Sequence, residues 1–134
     1  MNAEHKQRLL DVARACRETK HASDFNMNYF VNVCGTPACA LGNYAARPDI
    51  QGRFSLDPKD KEILLDGECV NYFYDEVIDY FGLHDVEEAD ELFGPFGCGG
   101  TKDFSGHLDD SIITDPIKAA EYIEDFVRRY EVTP

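Results

Sequence analysis

Apolar residues recur every three to four positions near both ends of the chain, which is the pattern of an amphipathic helix. The first such stretch runs from Ala3 to Glu18, and the last begins after Asp115 and Pro116 and continues to about Tyr130. A capping side chain followed by proline is typical of a helix start, because an N–H at that position would have no partner. The inward positions predicted for the last helix are Ile117, Ala120, Ile123, Phe126 and Val127.

Two more helices are predicted in the second half of the chain. Apolar positions from residue 70 to residue 81 share one helical face, and Gly82 marks the end of that helix. Asp85 stands three residues before Glu88, which is the spacing of a capping box. A short helix is therefore expected from there through Phe93.

The region between residues 36 and 66 combines a helix with a hairpin. Thr36 and Pro37 predict a helix start, and the next proline ends that helix at about residue 46. Between residues 52 and 66, two short apolar runs flank the turn-forming tetrapeptide Asp-Pro-Lys-Asp. These runs predict a two-stranded β-hairpin.

The whole pattern predicts a mainly α fold of the α+β class, with about five helices packed around one core and a short β-hairpin. A length of 134 residues suits one core, and the chain contains no internal repeat or Ser/Gly-rich linker. We therefore expect residues 1–134 to form a single domain.

Charge is distributed unevenly along the chain. Residues 1–50 carry six basic and five acidic side chains, whereas residues 51–134 carry seven basic and twenty-one acidic ones. This field repels phosphate backbones and anionic membranes, so we predict no direct nucleic-acid or membrane binding. It would attract a protein partner with a basic surface, and the alternative is that the acidic side chains only keep a small protein soluble. The candidate binding residues on this acidic surface are Asp75, Glu76, Asp79, Glu87, Glu88 and Glu91.

The chain carries five cysteines but neither a secretion signal nor an apolar run of eighteen residues. An odd cysteine count without a signal argues against a disulfide framework, so we expect reduced thiols in the cytoplasm. Cys34 and Cys39 have a spacing that zinc ligands use, but no second Cys or His pair repeats it. No metal and no cofactor are predicted.

Cys39 is the strongest candidate for covalent chemistry. If Thr36 caps the helix, Cys39 occupies its third position, where unpaired N–H groups lower a thiol pKa. A cysteine nucleophile also needs a histidine as base. His107 is the best candidate for that base and His84 is the next.

A packing role explains the same residues without catalysis. Cys39, Gly42 and Ala46 fall on one face of the predicted helix. Glycine within a helix costs about 1 kcal/mol relative to alanine, so Gly42 should have a packing reason, namely the close approach of another backbone. A buried cysteine then acts as a small hydrophobic residue.

Several motifs together resemble a family of small bacterial and phage proteins of unknown function. The resemblance spans roughly residues 25 to 125 and rests on a CGTxxCxxG motif from Cys34 to Gly42, preceded by Phe25 and Met27. It also includes the acidic stretch that ends at residue 93 and the final helix. The resemblance implies a mainly helical fold and a bacterial or phage origin, and it implies no mechanism.

Two functional hypotheses follow from the sequence. The first is a small acidic, non-enzymatic interaction protein, of which an inhibitor of a basic or nucleic-acid-binding host protein is one version. The second is a cysteine-dependent hydrolase or transferase that uses Cys34 or Cys39 with His107. The incomplete catalytic set favours the first.

Overall fold

The computed structural model describes residues 2–20, 22–32, 35–57, 59–94, 97–98 and 113–132. Within them, five α-helices and a three-stranded antiparallel sheet surround a hydrophobic core, which confirms the α+β class. The helices are α1 (Ala3–Arg17), α2 (Ala40–Ala45), α3 (Asp75–Tyr80), α4 (Val86–Phe93) and α5 (Pro116–Val132), with a short 3-10 helix at Ala22–Asp24. The strands are β1 (Phe54–Asp57), β2 (Glu62–Leu65) and β3 (Glu68–Val70).

The two long helices, α1 and α5, pack against each other as the amphipathic patterns predicted. Asn2 caps α1, and its side-chain oxygen accepts the His5 N–H at 2.8 Å. Two hydrogen bonds from the Arg17 guanidinium to Glu124, 2.6 and 2.9 Å long, join the helices at their surface. Both predicted helices are thus confirmed.

The predicted inward face of α5 is wrong at one position. Ile117 is 40% exposed, whereas Ala119 is fully buried together with Ala120 and Ile123. At 100° per residue, Ile117 lies 120° around the helix from Ile123, near the edge of the apolar stripe. The start of α5 is as predicted, because the Asp115 side chain accepts the Ile117 N–H at 2.9 Å.

The sheet has one strand more than the sequence predicted. β2 pairs with β1 and with β3, so the order is β1-β2-β3. The β2–β3 connection is a two-residue turn in which Asp66 has φ of 54° and Gly67 has φ of 85°. Asp-Gly is a favoured pair in such hairpin turns, and this signal was missed. Val70 therefore belongs to a strand and not to the next helix.

Helix α3 is shorter than predicted because Val70 belongs to β3 and a turn follows it, in which the Tyr74 N–H donates to the Asn71 carbonyl at 3.0 Å. It begins at Asp75, and Val77 and Ile78 face the core, while Phe73 and Tyr74 are 44% and 43% exposed. Three consecutive aromatic residues cannot share one helical face, because neighbours along a helix are 100° apart. The helix ends at Tyr80, close to the predicted end, and Gly82 follows its C-cap Phe81 with a φ of +66°.

Helix α4 follows the predicted capping pattern. The Asp85 side chain accepts the Glu88 N–H at 3.0 Å, and the Glu88 carboxylate accepts the N–H of His84 at 2.6 Å. Each acceptor satisfies a backbone donor that the helix start leaves unpaired. The predicted start and end of this helix are both confirmed.

The prediction that Thr36 caps a helix starting at Pro37 is wrong. Pro37 instead forms an antiparallel bridge with Val31, and the backbone N–H of Ala38 donates to the Phe30 carbonyl at 3.0 Å. This pairing holds the chain extended through residue 38, so α2 starts only at Ala40. Local sequence signals cannot report such a bridge, because it depends on residues several positions upstream.

Gly42 has the packing role that the sequence predicted. A Cβ atom added there would lie 2.2 Å from the Phe30 carbonyl oxygen, well inside van der Waals contact. All six residues of α2 are buried, so neither the helix nor the carbonyl has free space to move into. The 30–38 segment therefore packs directly on the α2 backbone.

Replacing Gly42 with alanine should destabilise the protein, although alanine is the better helix former. We expect a net loss of about 1–3 kcal/mol in the free energy of unfolding, as for other overpacked cores. Urea denaturation measures this loss. Gly52→Ala is the matched control, because no atom lies within 4 Å of its added Cβ. A Gly42→Ala variant as stable as Gly52→Ala would contradict this contact.

Candidate functional site

Cys39 caps α2 and does not lie at its third position. Its sulfur accepts the Gly42 N–H at 3.3 Å, and its side chain is only 1% exposed. Burial raises the pKa of Cys39 to about 11, and the N–H groups of Gly42 and Leu41 offset only part of that rise. The thiol therefore stays protonated at neutral pH, which is unfavourable for a nucleophile.

Two other thiols share this environment. Cys16 on α1 is fully buried, and Cys98 is 3% exposed and donates to the Leu92 carbonyl at 3.3 Å. Burial is the main cause that raises the pKa of Cys16 and brings that of Cys98 to about 12, and electrostatic interaction with Cys39 contributes to both increases. Across the residues that the structure describes, no group of three or more His, Cys, Asp and Glu side chains could hold a metal ion. These cysteines act as small core residues.

Of the other catalytic candidates, only His84 lies in the part of the chain that the structure describes, and its side-chain contacts do not include Cys39. Cys34 and His107 both lie outside the described residues. His84 is exposed, and its Nδ1 lies 3.2 Å from the Tyr130 hydroxyl and 3.5 Å from the Glu88 carboxylate. Its polar neighbours are thus an acid and a phenol and include no thiol.

The six predicted acidic binding residues divide into two groups. On α4, Glu88 accepts the Tyr130 hydroxyl, Glu91 accepts the Tyr122 hydroxyl at 2.7 Å, and Glu87 is exposed. Two of these three carboxylates thus hold α4 against α5. The other three acids lie on α3 and are Asp75, Glu76 and Asp79. Their side chains are exposed and make no ion pair or side-chain hydrogen bond within the described part of the chain.

Aromatic side chains lie directly beside the α3 carboxylates. Phe73 contacts Tyr72 and Tyr74 edge to face, with ring centroids 5.4 and 5.3 Å apart. Phe73 and Tyr74 are among the apolar positions from residue 70 to residue 81 that were predicted to share a buried helical face, so their exposure was not expected. We call the exposed side chains of Phe73, Tyr74 and the three α3 acids the 72–79 surface.

A groove of about 480 Å³ lies between β3 and α3. Its lining includes Tyr80, whose ring contacts two guanidinium groups, that of Arg8 at 4.1 Å and that of Arg53 at 5.2 Å from the ring centroid. The Tyr80 hydroxyl hydrogen-bonds to the buried Tyr44 hydroxyl at 2.6 Å. This anchored ring gives the groove a rigid wall, and we call the cavity the β3 groove.

A second cavity, of about 530 Å³, lies between the end of α1 and α2. Arg47 contributes to its lining and is held by Asp49 at 2.7 Å and by Glu18 at 3.0 Å. Its charge is therefore already compensated from both sides. The aromatic and acidic side chains of the 72–79 surface make that region the better candidate site.

The chain matches no protein-family model, and no curated protein or solved structure matches it. The resemblance to the family with the CGTxxCxxG motif therefore stays a prediction. No described helix is long and apolar enough to cross a membrane.

The rate of alkylation should differ between the buried thiols and the exposed thiol of Cys69. With iodoacetamide at about pH 7.5, we expect Cys69 to react in the folded protein and Cys16, Cys39 and Cys98 to react only after unfolding in urea, because burial keeps them protonated. Site-resolved mass spectrometry measures each modification. Rapid labelling of Cys39 in the folded state would overturn its assignment as a core cap.

The reactivity of Cys69 should depend on its cross-strand neighbour. Its thiol donates to the Glu62 carboxylate at 2.6 Å, and this bond raises the pKa of Cys69. Glu62→Gln removes the charge, so the pKa should fall and alkylation at about pH 8 should become several-fold faster. Glu121→Gln, an exposed change on α5, should leave the rate unchanged. Equal rates in all three proteins would show that Glu62 has no influence.

Proposed function

We propose that this chain is a small acidic, non-enzymatic interaction protein of bacterial or phage origin that binds a basic surface of another protein in the cytoplasm. An inhibitor of a nucleic-acid-binding host protein is one form of this function. The observation that carries the proposal is the 72–79 surface, where exposed aromatic rings adjoin carboxylates that no basic side chain among the described residues neutralises.

The aromatic part of this surface is suited to protein recognition. Phe73 and Tyr74 each expose more than two-fifths of their surface at the start of a short helix. Aromatic residues are enriched at protein interfaces, where each buries a large apolar area at low conformational cost. Truncating a central interface aromatic commonly costs about 2 kcal/mol or more of binding free energy.

The acidic part selects the class of partner. The carboxylates of Asp75, Glu76 and Asp79 lie within residues 51–134, where acidic side chains outnumber basic ones by three to one (21 to 7). A phosphate backbone would be repelled by this field, while lysine and arginine side chains would be attracted to it and to the aromatic faces. A basic protein surface satisfies both features.

A comparative pull-down from bacterial lysate tests this function. The variants are Phe73→Ala with Tyr74→Ala, and Glu76→Gln with Asp79→Asn. The charge-matched control is Glu121→Gln with Asp60→Asn, which neutralises two exposed acids elsewhere. We expect wild type and control to retain the same basic protein at about 50 mM salt, and both site variants to lose it about 10-fold or more.

Salt dependence provides the second readout. Raising the salt to about 300 mM should weaken capture by wild type, since exposed charges are screened. Recovery of no protein at low salt would refute the proposed function. Equal recovery by all variants would also refute a role for the 72–79 surface.

A further inference from the structure

Within the described residues, the outer edge of β3 has backbone groups that no other strand pairs with. Because the β2–β3 turn contains two residues, Leu65 and Glu68 form the hydrogen-bonded pair that closes it. The next pair, Leu64 with Cys69, is then a non-hydrogen-bonded pair, and the N–H and C=O of Cys69 point away from β2. No other described strand lies on that side, because β3 is the last strand of the sheet.

The β3 groove runs beside this edge and is acidic. Glu68, Glu76 and Asp79 line it and make no ion pair in the described residues. The two arginines of the groove are already neutralised, since Arg8 lies 2.6 Å from Glu4 and Arg53 lies 2.8 Å from Asp66. Three carboxylates are therefore left for a ligand to neutralise.

We propose that the partner's basic segment binds in an extended conformation as a fourth, antiparallel strand on β3, with lysine or arginine at two positions separated by one residue. This inference rests on the proposed function and specifies its ligand. The main chain of the segment exchanges two hydrogen bonds with Cys69. Its two basic side chains lie in the β3 groove near the free carboxylates.

The alternating spacing follows from strand geometry. Side chains directly opposite each other on paired strands point to the same face of the sheet. The residue opposite Cys69 therefore points to the exposed outer face, together with Cys69. Its two neighbours point to the face of Glu68 and Val70, both of which line the groove together with Leu65, the cross-strand partner of Glu68.

A second copy of this chain is a poorer occupant. Antiparallel pairing of two β3 strands through Cys69 would bring the Glu68 and Val70 of one copy opposite those of the other. Each Glu68 would then lie opposite a Val70, which leaves its charge without a basic partner, and the acidic grooves of the two copies would be brought close together, where like charges repel. A charged residue on an open edge strand is a common protection against such self-pairing.

Synthetic peptides test the proposal directly. The probe is a fluorescently labelled, capped octapeptide of alternating Lys and Val, and anisotropy at about 50 mM salt measures its Kd. A peptide of identical composition with the four lysines in one block is the spacing control. A third peptide carries N-methyl groups on alternate residues, on the edge that would face Cys69, which prevents strand pairing and keeps the charge.

We expect the alternating peptide to bind about 10-fold more tightly than either control, since each control loses hydrogen bonds or carboxylate contacts. Glu68→Gln with Glu76→Gln should weaken its binding about 10-fold, whereas Asp60→Asn with Glu121→Gln should not. Equal binding of the alternating and N-methylated peptides, or no binding at all, would overturn the docking mode.

The two proposals fail separately. If the site-dependent capture of a basic protein persists while all peptides bind equally, the strand-pairing inference is wrong and the proposed function stands. If the alternating peptide binds as expected while no lysate protein is captured, the edge is a peptide site and the proposed function is wrong.

Discussion

The packing of the Phe30 carbonyl on Gly42 is the contact on which the rest of the structure depends. It lets the extended 30–38 segment lie directly on α2, which is buried along its whole length and contacts α1, α5 and the sheet. Two sulfur atoms complete the start of this helix, because Met27 accepts the Ala40 N–H at 3.4 Å and Cys39 accepts that of Gly42. Weak sulfur acceptors are adequate at this site because the donors would otherwise be buried without any partner.

The burial of α2 also explains why Cys39, the described cysteine of the CGTxxCxxG motif, has a structural role. A helix start favours a thiolate, but burial opposes it, and at Cys39 burial is the larger effect. The hydrophobic surroundings that make Cys39 a good cap therefore also make it a poor nucleophile. Unpaired carboxylates are found instead at the β3 edge of the described sheet, where β3, α3 and the aromatic residues between them meet solvent.

Sequence signals succeeded where a structural feature depends on neighbouring residues alone. The caps at Asp85 and Asp115 were predicted correctly because a side chain and a backbone N–H two or three residues away form the whole interaction. The cap at Thr36 failed because a non-local bridge between Val31 and Pro37 competes with it. The exposed aromatics failed for a similar reason, since the hairpin at Asp66 shifts the start of α3 and turns Phe73 outward.

By itself, the sequence determined the α+β class, the two long helices, the acidic field and the packing reason for Gly42, because periodicity, charge and glycine cost are local properties of the chain. Only the tertiary structure decided, for the described residues, which cysteines are buried, which acids stay unpaired and which sheet edge is open. These properties depend on desolvation and on neighbours distant in sequence. The candidate interface is therefore a product of the fold, in which an open strand, exposed rings and free carboxylates are brought to one side.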